Sequence, residues 1–154
     1  MRTIGVISDT HGLLRPQALA ALQGCDPIIH AGDVGSPDIL PALQAIAPVF
    51  PVRGNVDYGP WADTLPPTQV IEIEGHRIYV LHILDELKGD AAHGCEAVIY
   101  GHSHQPKIET RNGTLFFNPG SAGPRRFRLP ITLGRVTIEN GKLRASLIDL
   151  EAVA

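Results

Sequence analysis

Seven residues of types that hold metal ions each stand just after a short apolar run: Asp9 and His11, Asp33, Asn55, His82, and His102 with His104. Two carboxylates, one amide oxygen and four imidazoles make a mixed oxygen and nitrogen donor set without thiolate. Such a set suits Mn, Fe, Zn, Co or Ni better than Ca or Mg, which favour oxygen, or Cu(I), which favours sulfur. Seven ligands are too many for one tetrahedral zinc. They suit two divalent ions sharing one carboxylate, roughly 3.5–4 Å apart as in binuclear hydrolases. Asp9 and His11 are two apart, as are His102 and His104, and in extended backbone both members of such a pair point to one side. Glycine precedes Asp33, Asn55 and His102, where the lack of a Cβ permits a sharp turn and a close approach to an ion. Each piece alone is common in turns; the joint pattern carries the inference.

The elements that must position these residues follow from periodicity. "TIGVIS" (3–8) reads as a strand buried on both faces, "RPQALAALQG" (15–24) as a helix with Pro16 in its first turn, and "PIIHAG" (27–32) as a second strand. "SPDILPALQAIA" (36–47) predicts a helix with Ser36 at its N-cap and Pro37 at its first position, and "PVFPVRG" (48–54) a third strand. This alternation implies right-handed crossovers and a parallel sheet. The second half predicts two strands around a turn at 74–76, a short helix over 85–94, a buried strand at 97–101, and two hairpins around Asn-Gly pairs. The expected architecture is two packed sheets with helices on their outer faces, the first partly parallel and the second mostly antiparallel. In this reading the seven residues lie at the carboxyl ends of five strands, the crevice where open α/β sheets bind ligands.

Composition narrows the partners. The 154 residues fit one domain, 1–154. The net charge of −3 argues against a protein that coats nucleic acid. No apolar run reaches the length of a membrane span, no secretory leader is evident, and Cys25 and Cys95 form no C-x-x-C, so a cytoplasmic protein is expected. The 13 prolines and 16 glycines punctuate the chain instead of clustering.

The ordered blocks "DTHG" (9–12), "HAGDV" (30–34), "GNVD" (54–57), "LH" (81–82), "GHSH" (101–104) and "NPGS" (118–121) resemble the calcineurin-like metallophosphoesterase superfamily, in its small single-domain prokaryotic phosphodiesterase type. The resemblance implies a four-layer α/β/β/α sandwich of two mixed β-sheets flanked by helices, with a di-metal centre of Mn, Fe, Zn or Ni. By position, it assigns Asp9, His11, Asp33 and His104 to one ion. Asn55, His82 and His102 go to the other, with Asp33 bridging. The implied chemistry is attack on phosphorus by a metal-bound hydroxide, with no further catalytic side chain, on a small phosphodiester. Nucleic acid enters only as a short substrate, and a homo-oligomer is compatible. A scaffold of the same fold, and a phosphomonoesterase or nuclease, are the alternatives.

Three departures bear on mechanism. Larger relatives have a histidine after the Asn that can protonate the leaving group; here Val56 stands there. They also carry an acidic residue shortly after the bridging Asp, where this chain has Ser36 and Pro37. A general acid contributes about 10²–10⁴-fold, so substrates with acidic leaving groups are favoured. Third, Ile83-Leu84-Asp85 follows His82 where relatives often have glycine, making that rim bulkier. Other polar residues read as supporting or solvated. His30 is a satisfied strand histidine or orients a ligand, and Asp57 a turn residue or ligand support. His76 and His93 are solvent-exposed, and "PRRFR" (124–128) is a basic loop. Ser8, Ser103 and Ser121 lack a Gly-x-Ser-x-Gly context, which argues against a serine hydrolase.

Overall fold

The run 3–8 can be apolar on both faces because its strand is central. β1 (Arg2–Ile7) pairs in parallel with β2 (Ile28–His30) on one side. On the other it pairs antiparallel with β9 (Thr132–Glu139), Thr3 opposite Thr137. In this computed structural model, which describes residues 1–151, β3 (Val49–Pro51) and β10 (Lys142–Asp149) complete a five-stranded sheet of order β10-β9-β1-β2-β3. The second sheet contains β4 (Thr68–Ile73), β5 (His76–Leu81), β6 (Ala97–Ile99), β7 (Lys107–Arg111) and β8 (Thr114–Asn118), in the order β4-β5-β6-β8-β7.

The sheets face each other across a core from both. Ile4, Val6, Ile29, Ala31, Val52, Val136 and Ile138 come from the first, and Ile71, Ile78, Val80, Ala97, Ile99 and Phe117 from the second. Contact is close enough that a Cβ on Gly134 would lie 2.3 Å from Phe117 Cζ. The opposite face of the first sheet buries Ile7 and Ile28 under α1 (Pro16–Ala21) and α2 (Ile39–Gln44), with Leu22 seated over Gly5. The outer face of the second sheet buries Tyr79, Val98 and Tyr100 under Leu84, Leu87 and Ala92. The four-layer α/β sandwich is therefore present, with two mixed sheets and few helices.

Five details depart from the sequence reading or go beyond it. The second sheet is not mostly antiparallel: β5-β6 and β6-β8 are parallel, β4-β5 and β7-β8 antiparallel. The C-terminal hairpin joins the first sheet, because the β1 edge opposite β2 would otherwise leave buried backbone groups unpaired. The expected helix over 85–94 is a 3-10 turn, Leu84–Glu86, followed by turns; Gly89 and Gly94 take left-handed φ of 57° and 80°, which no helix continues through. Finally, α2 begins at Ile39 with Asp38 as N-cap, not at Pro37. A helix started at Pro37 would drive the Pro41 ring into the carbonyl four residues back; starting at Ile39 puts Pro41 in the first turn, where it is tolerated. A short helix, α3 (Pro60–Asp63), was not expected.

Candidate metal centre

Every one of the seven residues lies in a loop leaving the carboxyl end of a strand: Asp9 and His11 after β1, Asp33 after β2, Asn55 after β3, His82 after β5, His102 and His104 after β6. They converge. One carboxylate oxygen of Asp9 and one imidazole nitrogen each of His11 and His104 lie within 4.8 Å of one another, as do the corresponding atoms of Asp33, His82 and His102. Asn55 Oδ1 lies 3.1 Å from His102 Nδ1. Asp33 Oδ2 is 3.1 Å from His82 Nε2 in one group and 3.5 Å from His11 Nε2 in the other, so a single oxygen faces both. Asp9, Asp33, His82 and His104 are buried, whereas Asn55 and His102 are exposed, and the cluster opens to solvent on that side.

Local backbone brings this about in a way the spacing did not predict. Asp9, His11, Asp33, His102 and His104 all have positive φ, between 47° and 75°. Extended backbone therefore does not align the Asp9–His11 and His102–His104 pairs; left-handed residues turn the chain back over the strand ends. Such conformations cost non-glycine residues energy and persist where surrounding structure holds them. The glycines sit where a side chain would collide with neighbouring loops: a Cβ on Gly54 would lie 2.1 Å from Asp33 N, and one on Gly101 2.2 Å from Ser8 Oγ and 2.7 Å from Asp9 Oδ2.

Each carboxylate is held by one oxygen and presents the other. Ser8 Oγ donates to Asp9 Oδ2 at 2.8 Å and the His102 N–H donates to the same atom at 3.1 Å. The Val56 N–H donates to Asp33 Oδ1 at 3.0 Å. Asp9 Oδ1 and Asp33 Oδ2 then point at the imidazoles. His82 Nδ1 donates to the Ala31 carbonyl at 2.7 Å, so in the neutral ring the Nε2 lone pair faces both carboxylates, 3.1 Å from Asp33 and 3.7 Å from Asp9. His11 Nε2 and His104 Nε2 face each other at 3.2 Å. Asp9 Oδ1, His82 Nε2 and His104 Nδ1 are buried with no hydrogen-bond partner. Asp9 Oδ1 and His82 Nε2 face each other at 3.7 Å, and buried ligand atoms so placed are what a cation between them would satisfy; the residues fit a pair of divalent ions.

The electrostatics agree. Burial raises the Asp9 carboxyl, but the imidazoles of His104, His11 and His82 beside it outweigh burial and hold it well below the ordinary range. Burial acts likewise on Asp33, and the nearby His82 imidazole together with the Val56 N–H outweighs it and lowers this carboxyl too. Burial lowers His82, yet Asp33 and Asp9 raise it overall. Both carboxylates are thus anionic across the neutral range.

Supporting residues clamp the loops together. His30 is fully buried and satisfied: its Nδ1 accepts the Gly32 N–H at 3.1 Å, so Nε2 carries the proton and donates to Thr10 Oγ1 at 3.0 Å. Thr10 in turn donates to the Val34 carbonyl at 2.8 Å. His30 is thus the satisfied strand histidine, and its bonds tie the Asp9–His11 loop to the Asp33 loop. The Asp57 carboxylate accepts the N–H groups of Val34, Gly35 and Gly54 at 2.8–3.2 Å and joins the Asp33 loop to Asn55. Sequence reasoning missed the work of "NPGS": Asn118 Nδ2 donates to the Gly101 carbonyl and Ser103 Oγ, and Ser121 Oγ to the Asp9 carbonyl. Ser8 and Ser121, rejected as nucleophiles, hold Asp9 instead. His76 Nδ1 lies 2.5 Å from Glu96 Oε2 and is half-buried, while His93 is exposed.

A doubly layered sheet sandwich whose strand ends gather two carboxylates, an amide and four imidazoles defines a class of protein. The chain belongs to the calcineurin-like phosphoesterase superfamily, whose family model matches residues 1–141. It is 37% identical over 158 residues to a probable metallophosphoesterase of Methanothermobacter thermautotrophicus, covering 94% of this chain and 91% of that protein. The fold matches a solved archaeal phosphodiesterase with a TM-score of 0.75 at 22% identity, covering 95% of this chain and 99% of that one. It also matches Vps29 of Chaetomium thermophilum, with a TM-score of 0.78 at 19% identity and 96% of each chain covered.

Proposed function

We propose that this chain is a metal-dependent phosphodiesterase working at a two-ion centre, with Asp9, His11, Asp33 and His104 around one ion and Asn55, His82 and His102 around the other. The observation that carries this is the pair of carboxylate oxygens, Asp9 Oδ1 and Asp33 Oδ2, each facing imidazoles from both groups. Manganese is the first ion to test, with iron, zinc, nickel and cobalt the other candidates. Two bound divalent ions supply an activated water and Lewis-acid stabilisation of the phosphoryl oxygens. Asp33, with Oδ1 held by the Val56 N–H, would offer Oδ2 to both ions. His82 is fixed by its bond to Ala31 with Nε2 inward. His102 and Asn55, on the exposed side, form the face from which a phosphodiester approaches.

The side chain at position 56 is valine, and Ser36 Oγ is engaged by the Asp38 N–H. No acid stands there to protonate a leaving alcohol. This favours diesters with acidic leaving groups over phosphomonoesters, and it limits rate by about the 10²–10⁴-fold that general acid catalysis supplies. The fold likeness to Vps29 raises a scaffold as the second reading, but all seven donor positions are filled here. Hydrolysis of an activated aryl phosphodiester by protein loaded in turn with Mn, Fe, Ni, Co and Zn separates the two; no turnover with any ion, at full loading, leaves the scaffold. A cytoplasmic setting accords with two free buried cysteines, and among the described residues no helix is long and apolar enough to cross a membrane.

A further inference from the structure

The loop 122–130 is anchored at both ends beside Asp9. Ser121 donates to the Asp9 carbonyl and bridges to Ile131 across the loop's base, and the Thr132 N–H bonds the Ser121 carbonyl. Gly123 lies so close to the Asp9–Thr10 backbone that a Cβ on it would meet Thr10 O at 2.3 Å, and Arg15 donates to the Gly123 carbonyl. From this base the chain rises into Arg125-Arg126-Phe127-Arg128. Phe127 is four residues from Gly123 and therefore within about 14 Å of it, at about 3.6 Å per residue.

Three features set this loop apart. Phe127 is 87% exposed, an aromatic ring held out in water. It also has φ of 55°. Among the described residues the other non-glycine positions with positive φ are the five in the metal cluster and Glu74, Asn112 and Asn140, which make tight hairpin turns. Phe127 stands in a tight turn closed by the Leu129 N–H on the Arg126 carbonyl, and a bulky aromatic kept at an exposed left-handed corner, where glycine or asparagine would be unstrained, points to use. Third, three of the chain's 13 basic residues fall at 125, 126 and 128 although the net charge is −3. Arg125 pairs with Glu151, whereas Arg126 and Arg128 have no carboxylate partner among the described residues.

An exposed aromatic flanked by free guanidinium groups suits a chain of phosphates and bases: the ring stacks a base of any sequence and the arginines take the backbone. We propose that loop 122–130 binds a short single-stranded oligonucleotide. Phe127 stacks on a base and Arg126 and Arg128 hold phosphates, which brings a neighbouring phosphodiester to the metal cluster. This rests on the phosphodiesterase reading and names its substrate class. The chain as a whole is acidic, with a net charge of −3, which favours a short bound strand over a long one.

The test is fluorescence anisotropy of a 5′-labelled adenosine trinucleotide with the full chain held in chelator, so that binding is read without hydrolysis. Phe127→Gly removes the ring and relieves the left-handed strain. It is expected to keep or raise Tm while weakening binding roughly tenfold, the scale of one lost base stack. Arg126→Ala combined with Arg128→Ala is expected to lower the slope of log affinity against log salt by about 1.4, the value for two phosphate contacts on a single strand. Hydrolysis of methyl 4-nitrophenyl phosphate, too small to reach the loop, should be unchanged in both variants. Unaltered trinucleotide affinity in both would overturn the proposal. So would a change of sedimentation in Phe127→Gly without a change in binding, which would make the loop a contact between copies of the chain. Absence of aryl diester hydrolysis by the unsubstituted protein counts against the phosphodiesterase reading alone, and the chelated binding assay still decides the loop.

Discussion

Asp9 and Asp33 each have one oxygen tied to the protein and one turned toward histidines, and this division of labour is the residue-scale basis of the site. Because Asp33 Oδ2 faces both groups, Asp33→Asn should weaken both ion sites, while His104→Ala should affect one. Loss of a residue that merely supports a ligand typically costs 10–100-fold, so removal of the ligand should lower kcat/KM at least about 100-fold. Steady-state kinetics with metal analysis checks this; near wild-type rates with both ions retained would refute the assignment. His30 makes a pH prediction. Burial lowers its pKa to about 4 from the usual 6.5. The unfolded chain therefore binds a proton between pH 6.5 and 4 that the folded chain refuses. Stability from this group is complete above pH 6.5 and falls as pH drops toward 4, by about 1.4 kcal/mol per pH unit. Urea unfolding across that window should show a shallower decline in His30→Gln than in the parent.

At the scale of elements, the strand-end loops are positioned by steric closeness and by buried carboxylate bonds. Gly101→Ala would force Ser8 and Asp9 apart from the His102 loop. It should lower metal affinity more than it lowers Tm, as titration calorimetry and thermal melting would show. Asp57→Ala would strand three N–H groups, of Val34, Gly35 and Gly54. Val34 and Gly54 are buried while Gly35 is exposed, so at about 1–3 kcal/mol for each unsatisfied buried donor a loss of at least about 2 kcal/mol is expected in urea unfolding. Much of this scale was legible beforehand. Polar residues after each apolar run marked the strand ends, and the Asn-Gly pairs marked the hairpins with left-handed φ at Asn112 and Asn140. The left-handed backbone at Asp9, His11, Asp33, His102 and His104 was not legible, because residue type does not announce a conformation that tertiary bonds impose. The false helix over 85–94 had the same root in reverse: its composition is helical, but Gly89 and Gly94 take turns that the loop over Tyr79 and Val98 needs.

Across the whole molecule, a sheet built from both ends of the chain and a sheet built from its middle close over one apolar core, and each contributes ligands: Asp9, His11, Asp33 and Asn55 from the first, His82, His102 and His104 from the second. Pairing partners were the least legible feature, since nothing local in β9 and β10 says that they complete the first sheet. Ions held between the sheets should therefore stabilise the fold. Saturating Mn²⁺ is expected to raise Tm, by mass action worth about 2.7 kcal/mol at a hundredfold excess over Kd, and chelation should reverse it. The central claim is tested most directly by one experiment, hydrolysis of an activated aryl phosphodiester measured alongside metal content after Mn²⁺ loading. Two ions per chain, with turnover that disappears in chelator and returns with Mn²⁺, is the predicted result. A chain that binds no ion at all, or binds two and hydrolyses no diester with Mn, Fe, Ni, Co or Zn, would contradict it.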